Sequence, residues 1–156
     1  MRGKKAPKRK ILADPRYKSV NIAKFINYVM ERGKKTVSED IVYSAFDILK
    51  EKTKEDSLDI FDKAIKNVTP LLEIRSKRVG GANYQIPVPV RGERKLALAY
   101  HWIIDAARKK KGRPMAEKLA GEILDAYNNQ GDAIKKKQDV HRMAEANRAF
   151  AHFAKF

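Results

Sequence analysis

Two prolines, Pro87 and Pro89, stand two residues apart in a stretch whose apolar residues alternate: Tyr84, Ile86, Val88 and Val90. Alternation with period two is the signature of a strand with one buried face. Proline has no N–H to give to a ladder, so a strand carrying two of them can only lie at a sheet edge. Just upstream, residues 71–79 (LLEIRSKRV) form a second extended segment, and Gly80, Gly81, Ala82 and Asn83 separate the two. The glycines permit the positive φ that a tight turn requires. The spacing therefore predicts one two-stranded hairpin over residues 71–90, with no third strand to widen it. A ribbon of this kind is only marginally stable alone, and its basic residues Arg75, Lys77, Arg78 and Arg91 would be ordered by a partner.

The rest of the chain reads at helical spacing. Ser19 precedes Ile22, Phe25, Ile26, Val29 and Met30, and Gly33 is placed to end that helix. Thr36 and Glu39 have the spacing of a capping box and open a helix that buries Ile41, Val42, Ala45, Phe46 and Leu49. Ser57 caps a third, with Leu58, Phe61, Ile65 and Val68, and Pro70 stops it. After the hairpin, Glu93 to Lys109 turns Leu96, Ala99, Tyr100, Ile103 and Ala107 inward. Pro114 suits the first turn of the next helix, which runs to about Asn128 with Leu119, Ile123 and Leu124 apolar. Asp132 caps the last, carrying Ile134, Val140, Met143, Ala144 and Phe150. The expected fold is mainly α: a single domain over 1–156, a bundle of about six helices with a protruding two-stranded β-hairpin. Residues 1–12, rich in like charges and poor in anything to bury, are expected to be a flexible basic tail.

Charge then narrows the function. The 156 residues hold 35 Lys and Arg against 19 Asp and Glu, a net charge of +16. Solubility does not need that much self-repulsion, so a polyanionic partner is implied. The bases come in blocks. Residues 1–18 carry eight bases and one acid, residues 72–95 six and two, residues 108–118 six and one, and residues 135–156 six and two. Residues 31–63, with seven bases and nine acids, interrupt them. Four separated basic runs in a small domain favour nucleic acid over simple solvated faces. The absence of cysteine fits a reducing compartment and excludes disulfides and thiolate metal sites. No apolar run reaches the roughly 20 residues of a membrane span. The basic N-terminus lacks the apolar segment of a secretory signal and is too poor in serine for a good transit peptide.

Catalytic motifs fail on inspection. Gly33-Lys34-Lys35 lacks the P-loop's upstream Gly, with Tyr28 in its place, and Lys35 stands where Ser or Thr is required. Two lysines after a helix-ending Gly suit a phosphate backbone contact instead. His101, His141 and His152 lack the spacing of a metal set. Asp47, Glu51 and Glu55 lie among Lys50, Lys52 and Lys54, an ion-paired face rather than an acid–base dyad. No serine sits in a nucleophile elbow. Trp102 points away from the apolar stripe of its helix, either packing against the hairpin base or stacking on RNA beside His101 and Arg94.

Four stretches, MERGKKTVSEDIVYSAFDIL (30–49), NVTPLLEIRSKRVGGANYQIPVPVR (67–91), ALAYHWIIDAAR (97–108) and HRMAEANRAFAHF (141–153), resemble the bacterial ribosomal protein S-seven family, in order along nearly the whole chain. Gly92 stands where that family commonly has Pro, Pro89 where it has Glu, and Pro114 where it has Ser or Thr. The resemblance implies a non-enzymatic, cofactor-free and metal-free protein of the cytoplasmic small ribosomal subunit. It implies binding to the three-prime major domain of small-subunit ribosomal RNA, and nucleation of the subunit head. It also implies a place at the subunit interface near the decoding centre and exit-site transfer RNA, whose release the hairpin would hinder. Ribosomal proteins S-nine and S-eleven would be neighbours, and some members repress their own messenger RNA, a further RNA partner.

On this reading RNA contacts fall on Arg2, Lys4, Lys5, Lys8, Arg9 and Lys10 of the tail, and on Lys34 and Lys35. Further contacts fall on Arg75, Arg78, Arg94 and Lys95, on Arg108, Lys110 and Arg113, and on Arg142 and Arg148. The transfer-RNA-proximal tip comprises Arg78, Gly80, Gly81, Asn83 and Tyr84. A-form major grooves are too narrow for side chains to read, so phosphate neutralisation and shape should dominate, with arginine forks at Arg75, Arg78, Arg94 and Arg142. Two rivals are a DNA architectural factor, which lacks a zipper, zinc set or helix-turn-helix here, and an RNA-modifying enzyme, which lacks a cofactor loop or nucleophile.

Overall fold

The computed structural model describes Gly3, Ala6, Pro7 and residues 9–155. In chain order it contains α1 (Val20–Val29), α2 (Lys35–Thr53), α3 (Ser57–Val68), β1 (Leu72–Val79), β2 (Ala82–Pro89), α4 (Glu93–Lys109), α5 (Met115–Tyr127), α6 (Asp132–Ala146) and a C-terminal 3-10 helix (Arg148–Lys155). Contacts group the chain into two compact units, Met1–Asp40 and Ile41–Phe156.

In the first unit the turn before α1 is organised by Asp14. Its Oδ2 accepts the backbone N–H groups of Arg16 (3.1 Å) and Tyr17 (2.9 Å), and its carbonyl accepts that of Lys18 at 2.7 Å. Those bonds let a carboxylate stay buried. Ser19 occupies the N-cap of α1 but its hydroxyl makes no capping bond. Ile22, Ala23, Phe25, Ile26 and Val29 form the buried stripe of α1. The helix that follows opens at Lys35, so Thr36 lies inside its first turn and is not its cap.

The second unit holds the hairpin and the remaining helices. Phe46 on α2 meets Phe61 on α3 with ring centroids 5.4 Å apart, and Phe61 stacks on Tyr100 of α4 at 6.4 Å. All three rings are buried, with Leu49, Ile60, Ile103, Leu119 and Ile123 also buried. Asn67 ties α3 to the end of α5, its Nδ2 donating to the carbonyls of Ala126 and Tyr127 at 3.0 Å each. The Ala126 carbonyl also accepts the Asn129 N–H at 3.1 Å, so the side chain adds a second bond there and at Tyr127 meets one of the carbonyls at the helix end.

Several boundaries differ from the sequence expectation. Asp56, not Ser57, caps α3: its carboxylate accepts the Leu58 N–H at 3.1 Å, while the Ser57 hydroxyl donates to the Phe46 carbonyl at 2.9 Å. Gly131 occupies the N-cap of α6, and Asp132 is the first helical residue. The helical period of α6 does not continue to Phe150; the helix ends at Ala146, and Phe150 belongs to the 3-10 segment. Met143, read as apolar core, is exposed, and Ile41, Leu58, Leu96 and Leu124 are only half-buried.

The hairpin pairs Leu72 with Pro89 through Val79 with Ala82. The turn is therefore two residues long, Gly80 and Gly81, rather than four. Both take positive φ, +57° and +93°, as the two central positions of a type I′ turn require. Nor is the ribbon isolated. Tyr84 lies between Phe150 and Phe153, with centroids at 5.1 and 5.3 Å, and Lys77 Nζ donates to the Phe153 carbonyl at 3.3 Å. The 3-10 helix backs the distal half of the arm, supplying the apolar contact that a two-stranded ribbon lacks.

Candidate nucleic-acid interface

At the base of the hairpin the second unit carries a groove of about 1040 Å³. Its apolar wall comes from Leu72, Pro87, Val88 and Pro89 on the strands and from Ala144 and Ala151 on the C-terminal elements. Its charges are Arg75, Arg91, Arg94 and Arg148, with Glu145. Local geometry explains the clustering. Arg75 projects from β1, Arg91 lies in the link to α4, and Arg94 is on the first turn of α4. Gly92, at the N-cap of α4, takes φ +50°, which the ring of a proline forbids.

Two of these arginines share one carboxylate. Glu73 is buried. Arg75 reaches its Oε1 through Nη2 and, at 2.7 Å, through Nε; Arg94 Nε meets Oε2 at 3.1 Å. Burial acts to raise the Glu73 pKa, but the hydrogen bonds and charges of Arg75 and Arg94 outweigh it and hold the carboxyl below the usual glutamate value of 4.5. Both arginine side chains remain more than half exposed. The arrangement can present fixed, forked cations to an anion beside an apolar surface. Arg148 is paired with Glu145 at 3.2 Å and Arg142 with Asp139 at 3.9 Å, both on exposed helix surface.

The α4–α5 link has a different character at its centre. Arg108, Lys109, Lys111 and Arg113 are exposed. Lys110 instead directs its ammonium inward, 2.6 Å from Glu122 Oε2 and 3.0 Å from Asp125 Oδ2. The other oxygen of Glu122 accepts the Ala133 N–H at 2.9 Å, at the start of α6. Burial opposes the Lys110 charge, yet Glu122 and Asp125 raise its pKa above 10.5. At the hairpin tip Arg78, Gly80, Gly81 and Asn83 are exposed, while Tyr84 is half-buried against the 3-10 helix. Lys95 and Trp102 are half-buried on α4.

In the first unit Arg9, Lys10 and Lys34 are exposed, and Lys35 pairs with Glu39 at 3.8 Å. Arg2, Lys4, Lys5 and Lys8 lie outside the described residues. Within the second unit, then, the structure brings together Arg75, Arg94 and Arg148. Arg142, Arg108, Arg113 and the tip residues do not line that groove. Glu73 and Glu122 were not foreseen. The one signal for Glu73 was its place two residues from Arg75 on an alternating strand, which puts both on one face.

Among the described residues no group of three or more His, Cys, Asp or Glu could hold a metal ion, and no helix is long and apolar enough to cross a membrane. His141 is engaged otherwise: its Nε2 accepts the Leu71 N–H at 3.2 Å.

Residues 1–148 match the model of the family described as ribosomal protein S7p/S5e. The small ribosomal subunit protein uS7 of Thermotoga maritima is 60% identical over 153 residues, covering 98% of this chain and 99% of that protein. Proteins of the same name from Desulfatibacillum aliphaticivorans and Marinobacter nauticus are 56% identical over 152 residues and 55% over 148; coverage is 97% of both chains for the first and 95% of both for the second.

Proposed function

The chain belongs to the ribosomal protein S7p/S5e family, and from that premise we propose that it is a structural component of the cytoplasmic small ribosomal subunit that binds the three-prime major domain of small-subunit ribosomal RNA and nucleates assembly of the subunit head. Membership in a ribosomal protein family accords with the non-enzymatic reading. The observation that carries RNA binding is the groove at the hairpin base, where arginines already held in place stand beside an apolar wall. Forked guanidinium groups of this kind suit phosphate oxygens. The exposed bases of the α4–α5 link, Arg142 and the basic N-terminus would add sequence-independent phosphate contacts.

The hairpin tip carries the second half of the reading. Its exposed glycines and Arg78 form a narrow, cationic end to the ribbon, and it would stand at the subunit interface beside exit-site transfer RNA and hinder its release. Neighbouring proteins S-nine and S-eleven, and the chain's own messenger RNA, complete the set of proposed partners. Filter binding to a transcript of the three-prime major domain, set against a transcript of another ribosomal domain of equal length, tests the central claim. Preferential, salt-sensitive binding to the first is expected; equal binding to both would remove it. Co-sedimentation with small subunits in high salt tests incorporation.

A further inference from the structure

We propose that Glu73, a carboxylate inside a surface that must attract an anion, is the positioning residue that gives this interface its specificity. The inference rests on the RNA-binding reading above and goes beyond it by naming what orders the grip. A negative charge beneath a phosphate-binding groove weakens the attraction by simple electrostatics. Glu73 nevertheless holds two arginines that are 19 residues apart in sequence, one on a strand and one on a helix. Arg75 spends Nε and Nη2 on Oε1, and Arg94 spends Nε on Oε2. Both side chains are nonetheless more than half exposed, at 63% for Arg75 and 55% for Arg94.

Arginine carries several freely rotating bonds, and ordering them at the moment of binding costs affinity. Fixing each guanidinium by its Nε edge removes much of that cost and leaves terminal N–H groups to meet phosphate oxygens. The spacing of the two forks is then set by a single carboxylate, so they fit one arrangement of backbone phosphates better than others. Glu73 is well placed for this because it is buried on β1 in register with Val88, whose neighbours Pro87 and Pro89 help line the groove.

The distinguishing experiment replaces Glu73 with Gln in the full-length chain. The change raises net charge by one, so charge alone predicts tighter binding to every RNA. Positioning predicts the opposite for the three-prime major domain transcript: affinity lower by about tenfold, the scale of a lost hydrogen bond to a charged group, with binding to an unrelated duplex of equal length unchanged or tighter. Arg94→Lys, which keeps the charge but loses the fork, should produce a similar loss, and the double variant should lose no more than the larger single one. That cycle also decides the matter if Glu73→Gln lowers stability, because Arg94→Lys leaves the carboxylate paired with Arg75. Additive losses, or a Glu73→Gln protein that binds both RNAs more tightly, overturn the proposal. A wild-type chain that does not prefer the domain transcript overturns the functional reading itself.

Discussion

The ammonium of Lys110 lies 2.6 Å from the fully buried carboxylate of Glu122. It is the centre of a basic run turned into the fold while its neighbours face out. Through Asp125 and the Ala133 N–H, the pair joins the α4–α5 link to α5 and the start of α6. Removing one partner strands a buried charge. Lys110→Met should therefore destabilise the protein by about 3 kcal/mol, the low end for a broken buried pair, because solvent reaches the lysine. Replacing both, with Glu122→Met alongside, should recover most of the loss. Urea denaturation measures each, and a single variant within 1 kcal/mol of wild type would mean the pair contributes little. The Lys110 pKa is raised on folding, so its contribution is complete below 10.5 and lost only as pH rises through the higher folded value.

Phe61 touches Phe46 on one side and Tyr100 on the other and is fully buried. Phe61→Ala should cost about 3–5 kcal/mol in the same assay. Phe46→Ala should cost a similar amount. Near-neutral effects from both would contradict the packing of α2, α3 and α4.

How much of this was written in the sequence depends on the range of the interaction. The hairpin was legible because alternation, two prolines and a Gly-Gly pair are all local; the turn length was not, since Ala82 and Asn83 give no signal against pairing, nor was the packing of Tyr84 on Phe150 and Phe153, more than 60 residues away. Helix existence was likewise legible from the spacing of Phe46, Phe61 and Tyr100. Caps were less so: Asp56 and Ser57 are adjacent and both competent, and the choice was settled by the Phe46 carbonyl, 11 residues away, taking the serine hydroxyl. The carboxylates were not legible. Glu73 looks like a stray acid on a basic strand and Glu122 like one more acid on an amphipathic helix, and their roles exist only once Arg94 and Lys110 arrive from elsewhere in the chain.

His141 accepts a hydrogen bond from Leu71 N–H with a ring nitrogen that must be unprotonated. Burial, and then the charge of Lys137, push its pKa below 6.5. A pKa depressed on folding gives stability that is present above 6.5 and lost as pH falls through the folded value. Wild type should therefore lose stability relative to His141→Asn as pH drops from 6.5, and before Glu73 titrates, since that carboxyl lies below 4.5. Parallel pH profiles by thermal denaturation would contradict this.

Counterion release gives the exposed bases a separate signature. Lys109 and Lys111 flank the half-buried Lys110 and face solvent. If each meets a phosphate, replacing both with Gln should lower the slope of log K against log salt by about 1.5, with little change in stability. Deleting residues 1–10 should lower affinity and slope as well. An unchanged slope in either case would place those bases off the RNA.

Tyr84 joins the hairpin to the C-terminal 3-10 helix, and that contact decides how an arm deletion must be designed. Removing Val79 to Tyr84 leaves Ser76 opposite Gln85, with Lys77 and Arg78 as a two-residue loop, so the strands can still close. The deletion also removes the ring seated between Phe150 and Phe153, each such aromatic contact being worth about 0.5–1.5 kcal/mol. The helical body should stay folded, because Phe46, Phe61 and Tyr100 are untouched, while amides of residues 148–155 should exchange faster. Binding to the ribosomal RNA domain should be largely retained, since Glu73, Arg75, Arg94 and the basic blocks remain. Retention of transfer RNA at the exit site of reconstituted subunits should fall. Tyr84→Ala separates the two effects: it should loosen residues 148–155 equally but keep the tip and its transfer-RNA effect. If the deletion abolishes ribosomal RNA binding while α3 to α5 keep their amide protection, the tip is a primary anchor and the division between groove and arm is wrong.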